Sequence, residues 1–185
     1  MTVEGIAVLS SEREYLSFRM TAILPLLLFL PPLVSFAVDP GALWAEYPGI
    51  LFHLAMLFLI SRMDAPLWAK AAGFGWITLD VLAGALLINE VPADLADPIR
   101  LAGHILAGLW IVTASLVHPV AAVRIVGTIA GTWLGGYTFV ATSLPDGSLG
   151  PAGVLFTVWL ILLAATHRPA APNPVRSGAT GAPTT

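Results

Sequence analysis

The chain has no cysteine, and its 185 residues include only 8 basic and 11 acidic side chains. Without cysteine there can be no disulfide, thiolate metal site, iron–sulfur cluster or cysteine nucleophile. Charged residues make up 10% of the chain, against ~25% in soluble domains. So thin a charged coat excludes an ordinary soluble domain, a disordered chain and a nucleic-acid binder. The familiar catalytic signatures are also missing. There is no phosphate-binding glycine loop ending in Lys-Ser/Thr, no His-Glu-x-x-His and no Gly-x-Ser-x-Gly. No apolar run is arginine-rich, which excludes a voltage sensor.

What the chain has in abundance is apolar surface: 57% of residues are hydrophobic and the mean hydropathy is +0.87. Six runs stand out, at 21–38, 47–62, 70–89, 98–117, 123–142 and 150–166. About 20 apolar residues cross a bilayer as a helix, and lipid leaves backbone polar groups no other partner. The expected fold is therefore all-α: a polytopic membrane protein with six transmembrane helices in an antiparallel bundle. The intervening loops are short and carry breakers such as Asp39-Pro40-Gly41, Asp64-Ala65-Pro66 and Asp97-Pro98. None is long enough to form a soluble domain. The organisation expected is a cytoplasmic segment at 1–20, a membrane domain at 21–166 and a disordered cytoplasmic tail at 167–185.

Orientation follows from the bases. With the N-terminus inside, Arg13, Arg19, Arg62, Lys70, Arg124, Arg168 and Arg176 are cytoplasmic, and only Arg100 lies outside. This places both termini in the cytoplasm and the protein in the plasma (cytoplasmic) membrane. Ser35 and Ala37 resemble a leader cleavage site, but the first run follows a 20-residue segment with three acids and itself contains Pro25, Pro31 and Pro32. It is expected to stay. Gly49-Ile-Leu-Phe-His53 and Gly153-Val-Leu-Phe-Thr157 share a frame, which divides the chain into three repeated hairpins at 19–68, 70–119 and 124–169. The competing explanation is that helix ends attract Gly, Pro and bases in any case.

Small residues identify packing faces. Gly127, Gly131 and Gly135 recur every four residues, a spacing that lets two helix backbones meet, in the bundle interior or in a homo-oligomer. Gly73, Asp80 and Gly84 share one stripe, and His104, Gly108, Ile111 and Ser115 another.

Few groups have the chemistry for a site. Asp80 is the only acid deep within a run, where an ionised carboxylate costs at least ~2.5–3.5 kcal/mol. It must be protonated, paired or wet. His53 and His104 each lie seventh in their runs, ~9 Å below the outer end, and Asp80 lies ~13 Å below it at 1.5 Å per residue. The three thus lie at similar depths, where consecutive helices could bring them together, and Tyr137 and Thr138 could line the same pocket. Such a group suits a proton relay or a divalent metal held by His53 and His104. It also suits a haem with those two imidazoles as axial ligands. The plain alternative is that each is a hydrogen-bonded packing residue. His118 and His167 read as solvated loop histidines. The sequence alone favours a non-enzymatic accessory or interaction protein, with the bilayer and a membrane-protein partner or second copy as its contacts. A small-solute or proton-linked transporter using Asp80 comes next, and a haem- or metal-binding redox protein third.

Overall fold

The computed structural model describes residues 17–145 and 147–166, and all of its regular structure is helical. Six helices follow one another: α1 Phe18–Val38, α2 Glu46–Arg62, α3 Leu67–Ile88, α4 Ala93–Leu116, α5 Ala121–Val140 and α6 Gly150–Thr166. One-turn 3-10 segments, Leu43–Ala45 and Ala141–Ser143, lead into α2 and out of α5. The expected tail at 167–185, with His167, and most of the N-terminal segment lie outside the described residues.

Local chemistry sets the ends. The Ser17 hydroxyl accepts the Met20 N–H at 3.3 Å and starts α1. α1 stops at Asp39, and Gly41 turns the chain at φ +84°. α3 ends in a left-handed residue, Glu90 at φ 62°. There the Glu90 and Val91 N–H groups return to the carbonyls of Leu87 and Leu86, both at 3.0 Å. At two other ends a base closes the helix: Arg19 Nε donates to the Ala164 carbonyl at 3.1 Å, and Lys70 Nζ to that of Ser61 at 3.0 Å.

One expectation about breakers needs correction. The apolar run from Pro98 predicts a helix starting there, but α4 begins at Ala93 and runs through the proline. The proline costs only the partner of the Asp94 carbonyl, one turn in, where Asp94 is exposed. α1 likewise continues through Pro25, Pro31 and Pro32.

Each helix packs on its neighbours in sequence, and α6 packs back on α1, so the six close into a ring. The interior is filled by Trp110, Trp159, Phe52, Met56 and Leu59, all at 2% exposure or less. Trp76 stacks on Trp110 with centroids 6.0 Å apart, and Trp159 meets Trp110 edge-on at 5.6 Å. The glycine face of α5 is spent inside the ring. A methyl built on Gly108 would lie 2.5 Å from the Gly131 carbonyl oxygen and 2.8 Å from Gly135 Cα. One on Gly127 would collide with Ser115 and Trp159.

The outer faces are apolar. Leu27, Leu51, Phe58, Ile125 and Phe139 are all exposed, as are Trp44, Tyr47 and Trp68. α1, the stretch Leu43–Arg62 containing α2, α3 and α4 are each long and apolar enough to cross a membrane. α6 is shorter, at 17 residues. α5 is diluted by its glycines and threonines.

Candidate functional site

Three helices build a charged cluster within this ring. On α2, Glu46 and His53 are seven residues apart and share a face. On α4, Arg100 and His104 are four apart and share another. Between them stands Asp80 of α3, 2% exposed. Glycines make the room. A methyl on Gly84 would come within 3.1 Å of Glu46 Oε2, and one on Gly103 within 3.3 Å of Asp80 Oδ2.

The Arg100 guanidinium grips Glu46 with two hydrogen bonds, Nη1 to Oε1 at 3.0 Å and Nη2 to Oε2 at 2.5 Å. Its Nε faces Asp80 Oδ1 at 3.6 Å. On the other side of Asp80, His53 Nε2 lies 3.5 Å from Oδ2. His53 Nδ1 is 2.7 Å from the Gly49 carbonyl. A carbonyl only accepts, so Nδ1 carries a hydrogen, and a neutral ring then presents a bare Nε2 to the carboxylate. Two lone pairs would face each other in a buried place. One proton, on Nε2 or on Oδ2, turns that clash into an attraction. Oδ2 otherwise has no hydrogen-bond partner, and neither has the buried Nδ1 of His104.

His53, Asp80 and His104 all border one cavity of about 100 Å³, whose remaining wall is largely aromatic: Phe29, Phe52, Trp76 and Phe156. A second cavity of about 80 Å³ lies toward the start of α2. It shares Phe29, Phe36, Phe52, His53 and Asp80 with the first and is bordered by Glu46 and Arg100. The cluster thus sits between the two spaces.

The structure therefore gathers three of the residues singled out from sequence and separates the other two. Thr138 Oγ1 donates to the Leu101 carbonyl at 2.8 Å, fastening α5 to α4. Tyr137 lines a different, open groove with Thr132 and Trp133. His118, between α4 and α5, accepts the Val120 N–H at Nδ1 at 3.2 Å, and partial burial holds its imidazole below the ordinary histidine range. Sequence reasoning missed Glu46 and Arg100. Their signal was the isolation of Arg100, the one base that the sequence reading placed apart from the others, four residues before His104.

The space does not suit a haem. A space of about 100 Å³ holds only about three waters at ~30 Å³ each, far less than a haem fills. Among the described residues no three His, Asp or Glu side chains are grouped to hold a metal ion.

Compared with protein-family models, curated proteins and solved structures, the chain matches none of them.

Proposed function

We propose that the chain is a six-span integral membrane protein that takes up and releases a proton at the His53–Asp80 pair, as a small proton-linked transporter. The observation that carries this reading is His53 Nε2 facing a buried, otherwise unpartnered Asp80 oxygen at 3.5 Å. With Glu46 and Asp80 negative, Arg100 positive and both imidazoles neutral, the cluster carries one net negative charge. An uncompensated charge in a low-dielectric interior is costly, so a proton or another cation belongs there. A purely accessory role would explain the closed ring but gives no reason to bury this charge.

In this reading the apolar outer faces meet lipid, and successive helices run antiparallel. Gly73, early in α3, faces Ile60 late in α2, while Gly84, late in α3, faces Ile50 early in α2. The bias of bases supports a cytoplasmic location for both termini and an outer-leaflet depth for the cluster. A hairpin repeat belongs to the same reading. His53 bonds the Gly49 carbonyl as Thr157 bonds that of Gly153, at 2.9 Å, and the matched Phe52 and Phe156 rings meet at 5.9 Å.

The test is proton flux in proteoliposomes loaded with a pH dye, with an imposed potential. Wild-type protein should acidify or alkalise the lumen at a rate that Asp80→Asn lowers to that of empty vesicles. Equal rates for wild type and Asp80→Asn would overturn the proposal.

A further inference from the structure

The cavity beside Asp80 has an unusual make-up. Phe29, Phe52, Trp76 and Phe156, with Phe36 beside them, form the aromatic part of its wall. Phe156 meets Phe29 at 78°, Phe52 at 88° and Trp76 at 86°, with centroids between 5.7 and 6.2 Å, as the sides of a box meet. One carboxylate oxygen, Asp80 Oδ2, borders this box and has no hydrogen-bond partner. An aromatic enclosure with a single anionic group is the environment that holds a cation whose charge lies under an apolar coat. It is a poor site for a hard inorganic cation, which needs six or so oxygen ligands. The space has the volume of about three waters at ~30 Å³ each, enough for a ligand of only a handful of non-hydrogen atoms.

We propose that this cavity binds a small alkylammonium ion, from methylammonium to tetramethylammonium, with Asp80 as its counter-charge and the Phe29, Phe52, Trp76 and Phe156 rings as its enclosure. This rests on the reading of His53–Asp80 as the proton site and names its cargo. The cluster has one missing positive charge, so proton and ammonium compete for it. Binding of the cation releases one proton from the pair, and no covalent bond changes apart from that N–H or O–H. The groups facing Asp80 are His53 from α2 and Arg100 and His104 from α4, with Glu46 hydrogen-bonded to Arg100 and Asp97 acting on it from further out. At this cavity α1, α5 and α6 contribute only apolar residues.

The experiment uses the full chain in lipid nanodiscs and isothermal titration calorimetry. The probes are methylammonium and tetramethylammonium chloride, with tert-butanol as a neutral control of similar size. At least one cation should bind saturably and release one proton to a weak buffer. Its affinity should fall about tenfold per pH unit where the proton competes. Asp80→Asn should weaken it at least about tenfold, and Phe156→Leu, which keeps apolar bulk but removes a ring face, should weaken it several-fold. If Asp80→Asn does not fold, the wild-type pH series and Phe156→Leu still decide. Absence of cation binding at millimolar concentration, equal binding of tert-butanol, or pH-independent affinity would each overturn the site. Asp80-dependent proton flux without ammonium binding removes this inference and leaves the proton reading. Proton-releasing cation binding without flux keeps the site and removes transport. Neither activity removes both.

Discussion

Replacing Gly108 by alanine tests the tightest contact in the ring. The new methyl would lie 2.5 Å from the Gly131 carbonyl oxygen, 2.8 Å from Gly135 Cα and 2.9 Å from Gly135 N. All three are backbone atoms of α5, so no side chain can swing aside. Ordinary contacts begin near 3.4 Å, and α4 and α5 must part by the better part of an ångström. Overpacking of this kind costs about 1–3 kcal/mol, and separating the helices also loosens their other contacts. Alanine's helix propensity returns at most ~1 kcal/mol. The net expectation is a loss of about 1–2 kcal/mol, a fall of several degrees in Tm in one detergent. Gly136→Ala is the internal control. It lies on the same helix as Gly131 and Gly135, with nothing within 4 Å of the added methyl, so it should be neutral or slightly stabilising. Equal stability of Gly108→Ala and Gly136→Ala would refute the α4–α5 backbone contact and the register built on it.

Three further outcomes follow from particular residues. Glu46→Gln removes the ionic half of a bidentate pair that is only partly exposed and should destabilise by about 1–2 kcal/mol. A double-mutant cycle with Arg100→Gln should show coupling, and additive losses would mean the pair is idle. Glu90→Gly relieves a left-handed non-glycine residue at φ 62° and should raise stability by about 0.5–1 kcal/mol, read in the same melts; a fall would contradict that conformation. Because burial lowers the His118 pKa in the folded chain, its contribution is present above the ordinary histidine range and is lost as pH falls through the folded value. Protonation also evicts the Val120 N–H from Nδ1. Hydrogen exchange at Val120 should therefore accelerate at pH 5 relative to pH 8, after correction for intrinsic rates, and His118→Gln should flatten that change.

Much of this was legible in the sequence because apolar runs and helix rise are simple quantities. The six helices follow from uninterrupted hydrophobic stretches, and the common depth of His53, Asp80 and His104 from counting residues inward. Azimuth was harder. At ~100° per residue, Tyr137 lies ~200° round α5 from Gly135, on the far side from the glycine face. It therefore opens on a separate groove. That angle follows from helix geometry alone, whereas the pairing of Glu46 with Arg100 does not. Glu46 opens its helix and Arg100 lies about two turns into its own, and only tertiary packing brings the two together beside Asp80. Pro98 misled for a related reason: a proline one turn into a helix removes a hydrogen bond whose carbonyl can reach solvent.

Closure of α6 onto α1 has a consequence for how the protein is made. Arg19 donates to Ala164 across 145 residues of sequence. During synthesis α1 emerges before the other five helices, yet the neighbour that completes its packing is the last of the six to leave the ribosome. Each pair of consecutive helices can pack as soon as its second member is made, whereas the α1–α6 seam must wait for all six. A nascent chain halted before Gly150 is thus an open horseshoe, with Phe29 lacking its contact to Phe156 and the aromatic box without one wall. The site is finished only once α6 is made, and quality control that senses an unsealed α1 would discriminate closed rings from partial ones.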